Sequence, residues 1–373
     1  MTMILGFTAL TVDVGFLMET RTQMQAAADG AALAAALEMP NGWGIGKTLT
    51  ADSVSTNART AAQTVAATYR VGEQPSAYVD QTRDIRLGQR TADAQGQWVE
   101  TWNVSPYNMV EVTVRRDQAL TKTATGTTVT RADQAIPTFF AGAIGSTQTT
   151  VVTKATAVLS PGGGFYIPPG SGLTCPLLPI ALDEPTWNNL INNGTGSDNY
   201  KYNSNGTVTS GADGIKEVNL YPEGSASLPA GNRGTVDIGS SNNSTADLSR
   251  QIRNGPNETD LAYFGGTLKI PAGGLLALNG DTGLSAGIKD DLAAIIGQPR
   301  AIPIFRSVSG PGNNATYQIV KFVGIRILFV QLTGSPSGKK VTIQPAPVFD
   351  GTITRSSGAL QPDSIMSSLQ LIH

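Results

Sequence analysis

Residues 1–37 read MTMILGFTALTVDVGFLMETRTQMQAAADGAALAAAL, and the reading of this stretch decides the fold. From Met1 to Met18 it is apolar and holds no Lys or Arg; from Gln23 to Leu37 it is rich in alanine, and the first proline is Pro40. Ala, Leu, Met, Gln and Glu are strong helix formers, and the residue before a proline is pushed out of the helical region. The pattern predicts one helix from about Thr2 to Glu38, roughly 55 Å long at 1.5 Å per residue. Its leading half is apolar on every side, which demands burial in lipid or in protein. That half sits at the lower edge of a bilayer span, which takes about 20 residues. It lacks the basic start and small-residue cleavage site of a signal peptide, so it reads as a retained transmembrane anchor that continues as a stalk. Asp13 is the single carboxylate in the run, and in lipid an unpaired charge costs several kcal/mol. It is expected at the interface end of a short span, or else bonded to a neighbouring subunit, for instance to that subunit's α-amino group.

A family signature lies on the same residues. Val12-Asp13-Val14-Gly15, then Arg21, then Met24-Gln25-Ala26-Ala27-Ala28-Asp29-Gly30-Ala31-Ala32-Leu33-Ala34-Ala35-Ala36 resemble the N-terminal segment of TadE/TadG-like proteins of the tight-adherence (Flp) pilus system. The family usually has Asn where this chain has Ala26, and Ala where it has Gly30. The segments DIRLGQR (84–90), NMVEVTVRR (108–116) and IPTFFAGAIGSTQTTVVTKATAVLSP (136–161) are also similar to the family's periplasmic part. The resemblance covers about residues 1–160. Leu5 stands where many type IV and Flp pilins carry Glu, and Asp13 is the carboxylate that would stand in for it. The resemblance implies a structural subunit of a surface filament, held in the inner membrane before assembly and packing with copies of itself through its helix. The residues expected at that interface are Met1, Met3, Ile4, Leu5, Phe7, Leu10, Val12, Asp13, Val14, Phe16, Leu17, Met24, Ala28, Ala31, Ala32 and Ala35. The alternative is a monomeric inner-membrane accessory protein of the same machine, exposing a periplasmic binding domain.

The rest of the chain reads as α+β with antiparallel sheets. A second helix is expected over about Asp52 to Arg70, where Ala58, Ala61, Ala62, Val65, Ala66 and Tyr69 recur at three and four. Small residues on both helices would let it fold back along the stalk. From Tyr78 the period changes to two, through TRDIRLGQR, QWVETWNV, NMVEVTVRRD, TTVTRAD and TVVTKATAVLS, with AIPTFFAGAIG as a short helix or buried crossover. SPGGGFYIPPGSG (160–172) is a Pro/Gly linker. Three regions follow from this: a hydrophobic assembly helix at 1–39, a second helix with an antiparallel β domain at 40–160, and a β-rich C-terminal domain at 161–373. In that last domain Asn243 or Ser244 can cap one helix that ends at Gly255, and Ile288, Leu292, Ile295 and Ile296 stripe another. ATYQIVKFVGIRILFVQLTG is long enough to cross a whole sheet.

Charged residues make up 14% of the 373 positions and the net charge is −2, which excludes an electrostatic footprint for nucleic acid. A surface of Thr, Ser, Asn and Gly fits an extracellular β-rich protein, with adhesion to a surface receptor as one use. Cys175 is the only cysteine, so an intrachain disulfide is excluded, and His373 is the only histidine. Gly283-Leu284-Ser285-Ala286-Gly287 matches a nucleophile elbow but has no histidine to serve it, so Ser285 reads as a helix cap. Gly42-Trp43-Gly44-Ile45-Gly46-Lys47-Thr48 is one residue short of a phosphate-binding loop and follows a helix rather than a strand. Gly334 to Lys339 reads as a turn for the same reasons. Metal sites built on His or Cys are excluded by count. Asn279, Asp281, Asp290 and Asp291 lack EF-hand spacing, and a solvated loop and helix start accounts for them better than calcium. No cofactor and no catalytic constellation is expected.

Overall fold

The computed structural model describes residues 2–119, 121–122, 128–129, 132–221, 234–239, 244–271, 273–281, 285–310, 314–334 and 339–372, with backbone alone for 2–9, 121–122, 128–129, 143–144 and 221. The leading stretch is a single helix, α1 (Thr2–Ala36), and the chain turns through a short 3-10 segment at Pro40–Gly42. Among the described residues no helix is long and apolar enough to cross a membrane. The span expected over Met1–Met18 therefore has no counterpart there. Past Leu10 the helix carries Asp13, Glu19 and Arg21, and its alanine-rich half is only weakly apolar.

The chain divides into two units. The first comprises Met1–Gly42, Leu49–Leu159 and Leu369–His373, and the second comprises Trp43–Thr48 and Ser160–Ser368. The segment expected as a region of its own, 1–39, clusters with residues 49–159 in the first unit.

In the first unit, α2 (Ala51–Ala66) starts at Thr50, whose hydroxyl accepts from the Ser53 N–H at 3.2 Å. It packs along α1, burying Val54, Ala58, Ala62 and Ala66. The sheet is built from β1 (Ile85–Ala92), β2 (Trp98–Trp102), β3 (Met109–Arg116), β4 (Val151–Val158) and a C-terminal strand at Gln370–Ile372. Its order is β2-β1-β3-β4-C-terminal strand, every pair antiparallel. Register lines up Leu87, Val110 and Ala157 in one row and Ile85, Val112 and Ala155 in the next. All six are buried, as alternation on a strand pair requires when one face is covered. The cover is the second half of α1, where Ala27, Ala28, Ala31, Ala32, Ala35 and Ala36 are wholly buried and the helix lies against β3 and β4. Methyl-sized side chains are what bring a helix backbone this close to a sheet. Gly30 has its own cause: a Cβ there would lie 2.5 Å from the Tyr69 hydroxyl.

The second unit is organised by β8 (Ala315–Gln331), a 17-residue strand. One side pairs with β7 (Pro299–Ser309); the other pairs first with β6 (Leu276–Asp281) and then with β9 (Lys340–Pro345), all antiparallel. The short β5 (Leu182–Asp183) adds in parallel to β7. One core cluster gathers Phe165, Phe305, Tyr317 and Phe322; another gathers Trp187, Ile252, Leu292, Ile304 and Ile327. The helix Thr245–Asn254 opens with a capping box in which Ser244 and Asp247 bond each other's backbone and closes at Gly255. The Asn-rich excursion folds as a hairpin, Tyr200–Tyr202 against Val208–Ser210. The turn Trp43–Thr48 also packs here: the Trp43 indole donates to the Gln361 carbonyl at 3.1 Å.

Candidate functional site

The face of α1 is the candidate site, and Asp13 defines its geometry. Asp13 is 3% exposed, and its two oxygens accept from three consecutive backbone N–H groups. Oδ1 takes Phe139 N at 2.7 Å, while Oδ2 takes Phe140 N at 3.0 Å and Ala141 N at 2.7 Å. These donors open the 3-10 turn Ala141–Ile144, which receives no side-chain cap from Phe140, its own preceding residue. A helical start leaves N–H groups without partners, and a carboxylate is the strongest acceptor for them. Asp13 therefore caps a turn more than 120 positions away.

Two further contacts hold the same side of the helix. Gly72, at φ +60°, comes close enough that a Cβ would lie 2.9 Å from Thr20 Oγ1, and its N–H donates to Gln23 Oε1 at 2.7 Å. The Arg116 guanidinium, buried in the same unit, donates to the carbonyls of Val71 and Gln134 and to the Glu73 carboxylate, fixing the Gly72 turn.

At about 100° per residue, Thr11, Gly15, Met18 and Thr22 lie opposite Asp13, with Leu10 and Val14 on one flank and Val12 on the other. All seven are exposed, Met18 at 67%. Among the described residues nothing lies within 4 Å of where a Gly15 Cβ would sit. Exposed Gly in a helix interior costs roughly 1 kcal/mol against Ala, with no offsetting contact among the described residues.

The sixteen residues expected at a subunit interface thus separate into groups. Leu10, Val12 and Val14 are exposed, and Phe16 and Leu17 are half-buried. Met24, Ala28, Ala31, Ala32 and Ala35 are wholly buried inside their own unit, because the sheet and α2 have taken the alanine surface. They offer no side-chain surface to a second chain. Asp13 accepts three hydrogen bonds from within its own chain. Met1, Met3, Ile4, Leu5 and Phe7 lie outside the described side chains. Sequence reasoning did not single out Phe139 and Phe140, both exposed beside the Asp13 cap. The Phe-Phe doublet between Thr138 and Ala141 was the available signal.

The other candidates fall apart in space. Ser285 accepts from the Gly287 N–H at 3.2 Å and caps a 3-10 turn. Gly44 and Gly46 press on backbone, with the Pro362 carbonyl 2.3 Å and the Pro345 carbonyl 1.9 Å from where their Cβ atoms would be. Asp291 pairs with Arg253, and Asn279 donates to Asp237. Among the described residues no three His, Cys, Asp or Glu side chains are placed to hold a metal. Cys175 is buried, and burial pushes its thiol up to about 12.

The class this geometry defines is an α+β protein with a long N-terminal helix, its alanine-rich part seated on an antiparallel sheet and one face exposed between Leu10 and Thr22. Residues 1–38 match the family described as "Putative Flp pilus-assembly TadE/G-like", and the similarity is confined to that N-terminal segment. No curated protein and no solved structure matches the chain.

Proposed function

We propose that this protein is a structural subunit of a Flp-type pilus, assembling through the bare face of α1 with its β-rich part displayed outward. The observation that carries the reading is the exposed stripe Gly15, Met18 and Thr22, flanked by Leu10 and Val14, with nothing among the described residues within 4 Å of where a Gly15 Cβ would sit. A small residue at Gly15 lets a second helix approach closely, and the apolar neighbours gain from being covered, each about 1.5–3 kcal/mol when fully sequestered. Before assembly the same apolar end is held at the inner membrane. The partners are copies of this chain.

A second reading is an accessory protein of the pilus machine that stays monomeric and membrane-held, with a periplasmic binding surface. It is favoured by the burial of Met24, Ala28, Ala31, Ala32 and Ala35, which confines any helix–helix contact to the leading half of α1. Negative-stain images of purified protein after detergent removal separate the two. Regular fibres support the filament subunit; single particles that persist only in detergent overturn it in favour of the accessory protein.

A further inference from the structure

The turn capped by Asp13 carries two aromatic rings that the first unit leaves in the open. Phe139 is 61% and Phe140 49% exposed, although Phe is among the residue types most often buried. Phe139 leans edge-on against Phe16, with ring centroids 5.2 Å apart. The backbone N–H groups of both are bound by Asp13, so the pair is fixed beside the helix at the level of that residue. Along α1 this level is a boundary. Residues 1–12 contain no charged side chain, whereas Glu19 and Arg21 follow within eight positions on the other side, about 12 Å along the axis.

The rings also sit on the side of the helix that Asp13 faces, away from the Gly15 stripe. A second helix packed on the stripe leaves them uncovered. Lipid around the uncharged leading run reaches every side of the helix, and its headgroup boundary would fall at the Phe pair. The one carboxylate at that depth already has three N–H donors and asks nothing of the lipid.

We infer that Phe139 and Phe140 form a second lipid-inserting element, entering the boundary between acyl chains and headgroups beside α1, with Asp13 as the positioning residue that holds them there. The inference rests on the proposed function only in placing the leading run of α1 at a membrane before assembly.

The test is partition of the full chain onto vesicles of equimolar phosphatidylcholine and phosphatidylglycerol. Replacing both rings (Phe139→Ser with Phe140→Ser) is expected to lower the partition coefficient about tenfold. Asp13→Ala is expected to lower it severalfold with both rings intact. A Phe140→Cys variant carrying an environment-sensitive dye should shift its emission to the blue on vesicles; Cys175, 1% exposed, stays unlabelled. Unchanged partition by a double variant with native circular dichroism overturns the inference, as does an unshifted dye. So does a lipid-free dimer of the wild type that the double variant dissolves, since the occupant is then a second copy. Fibre formation is scored separately: a double variant that still forms fibres but leaves the vesicles supports the inference and keeps the filament reading.

Discussion

Asp13 and Ala141 lie 128 positions apart in the chain, yet Asp13 Oδ2 is 2.7 Å from the Ala141 N–H. With the neighbouring bonds to Phe139 and Phe140, this contact ties the leading half of α1 to the turn between the sheet's inner strands. Asp13→Ala leaves three donors without their acceptor and is expected to destabilise the protein by about 1–3 kcal/mol in urea unfolding. Asp13→Asn keeps one acceptor oxygen and should lose less. Equal midpoints for wild type and Asp13→Ala would show that the cap contributes nothing.

Ala32 and Ala26 lie about 120° apart around the same helix, one wholly buried and the other exposed. Ala32→Leu forces extra methyl groups into the seam and is expected to cost about 1–3 kcal/mol or more. Ala26→Leu should be within about 0.5 kcal/mol of wild type. Thermal unfolding of the monomeric protein checks both. If Ala32→Leu left the monomer unaltered and disturbed assembly alone, the alanine half would belong between subunits after all.

Gly15 allows stability and assembly to be moved in opposite directions. With nothing among the described residues near its missing Cβ, Gly15→Ala should raise the stability of the unassembled chain by roughly 0.5–1 kcal/mol through helix propensity. If α1 packs on copies through this stripe, Gly15→Ala and more so Gly15→Leu should reduce fibre yield. Unaltered yield with Gly15→Leu would remove the stripe from the interface.

Asp80 gives the first unit an acid dependence. Its carboxylate accepts from the Arg83 N–H, the Thr82 hydroxyl and the Thr82 N–H, which outweigh burial and hold it down at about 2, below the ordinary 3.8. A folded value below the unfolded one means the unfolded chain binds the proton more readily. The stabilisation is complete above about pH 4 and is lost as pH falls toward 2. Asp80→Asn should lower the urea midpoint at pH 6 and flatten its fall between pH 4 and pH 2, the range in which the two curves should converge. Parallel curves for wild type and variant would assign the acid dependence elsewhere.

Much of the local structure was legible because short-range chemistry decides it. The helix through residue 36 follows from its helix formers and the stop before Pro40, and Ser244 with Asp247 announces a capped start. The period-two runs around Leu87, Val112 and Ala155 mark strands with one covered face. The candidate site was legible only in part. Alanine at nearly every position from 26 to 36 has no apolar face to read, so the sequence does not say whether a sheet, a second helix or another chain covers it. The structure answers with β3, β4 and α2.

What the sequence determined by itself is the existence of a long N-terminal helix with an uncharged leading run, and of strands and caps set by neighbours a few residues apart. Tertiary structure alone decided which side of that helix is consumed within the chain, that Asp13 finds its donors at Phe139, Phe140 and Ala141, and that Gly15 is left bare. The reason is distance along the chain. Propensity and periodicity act over a turn or two, whereas a carboxylate can be satisfied by any donors that folding brings within 3 Å, and nothing in the composition of either segment names the other.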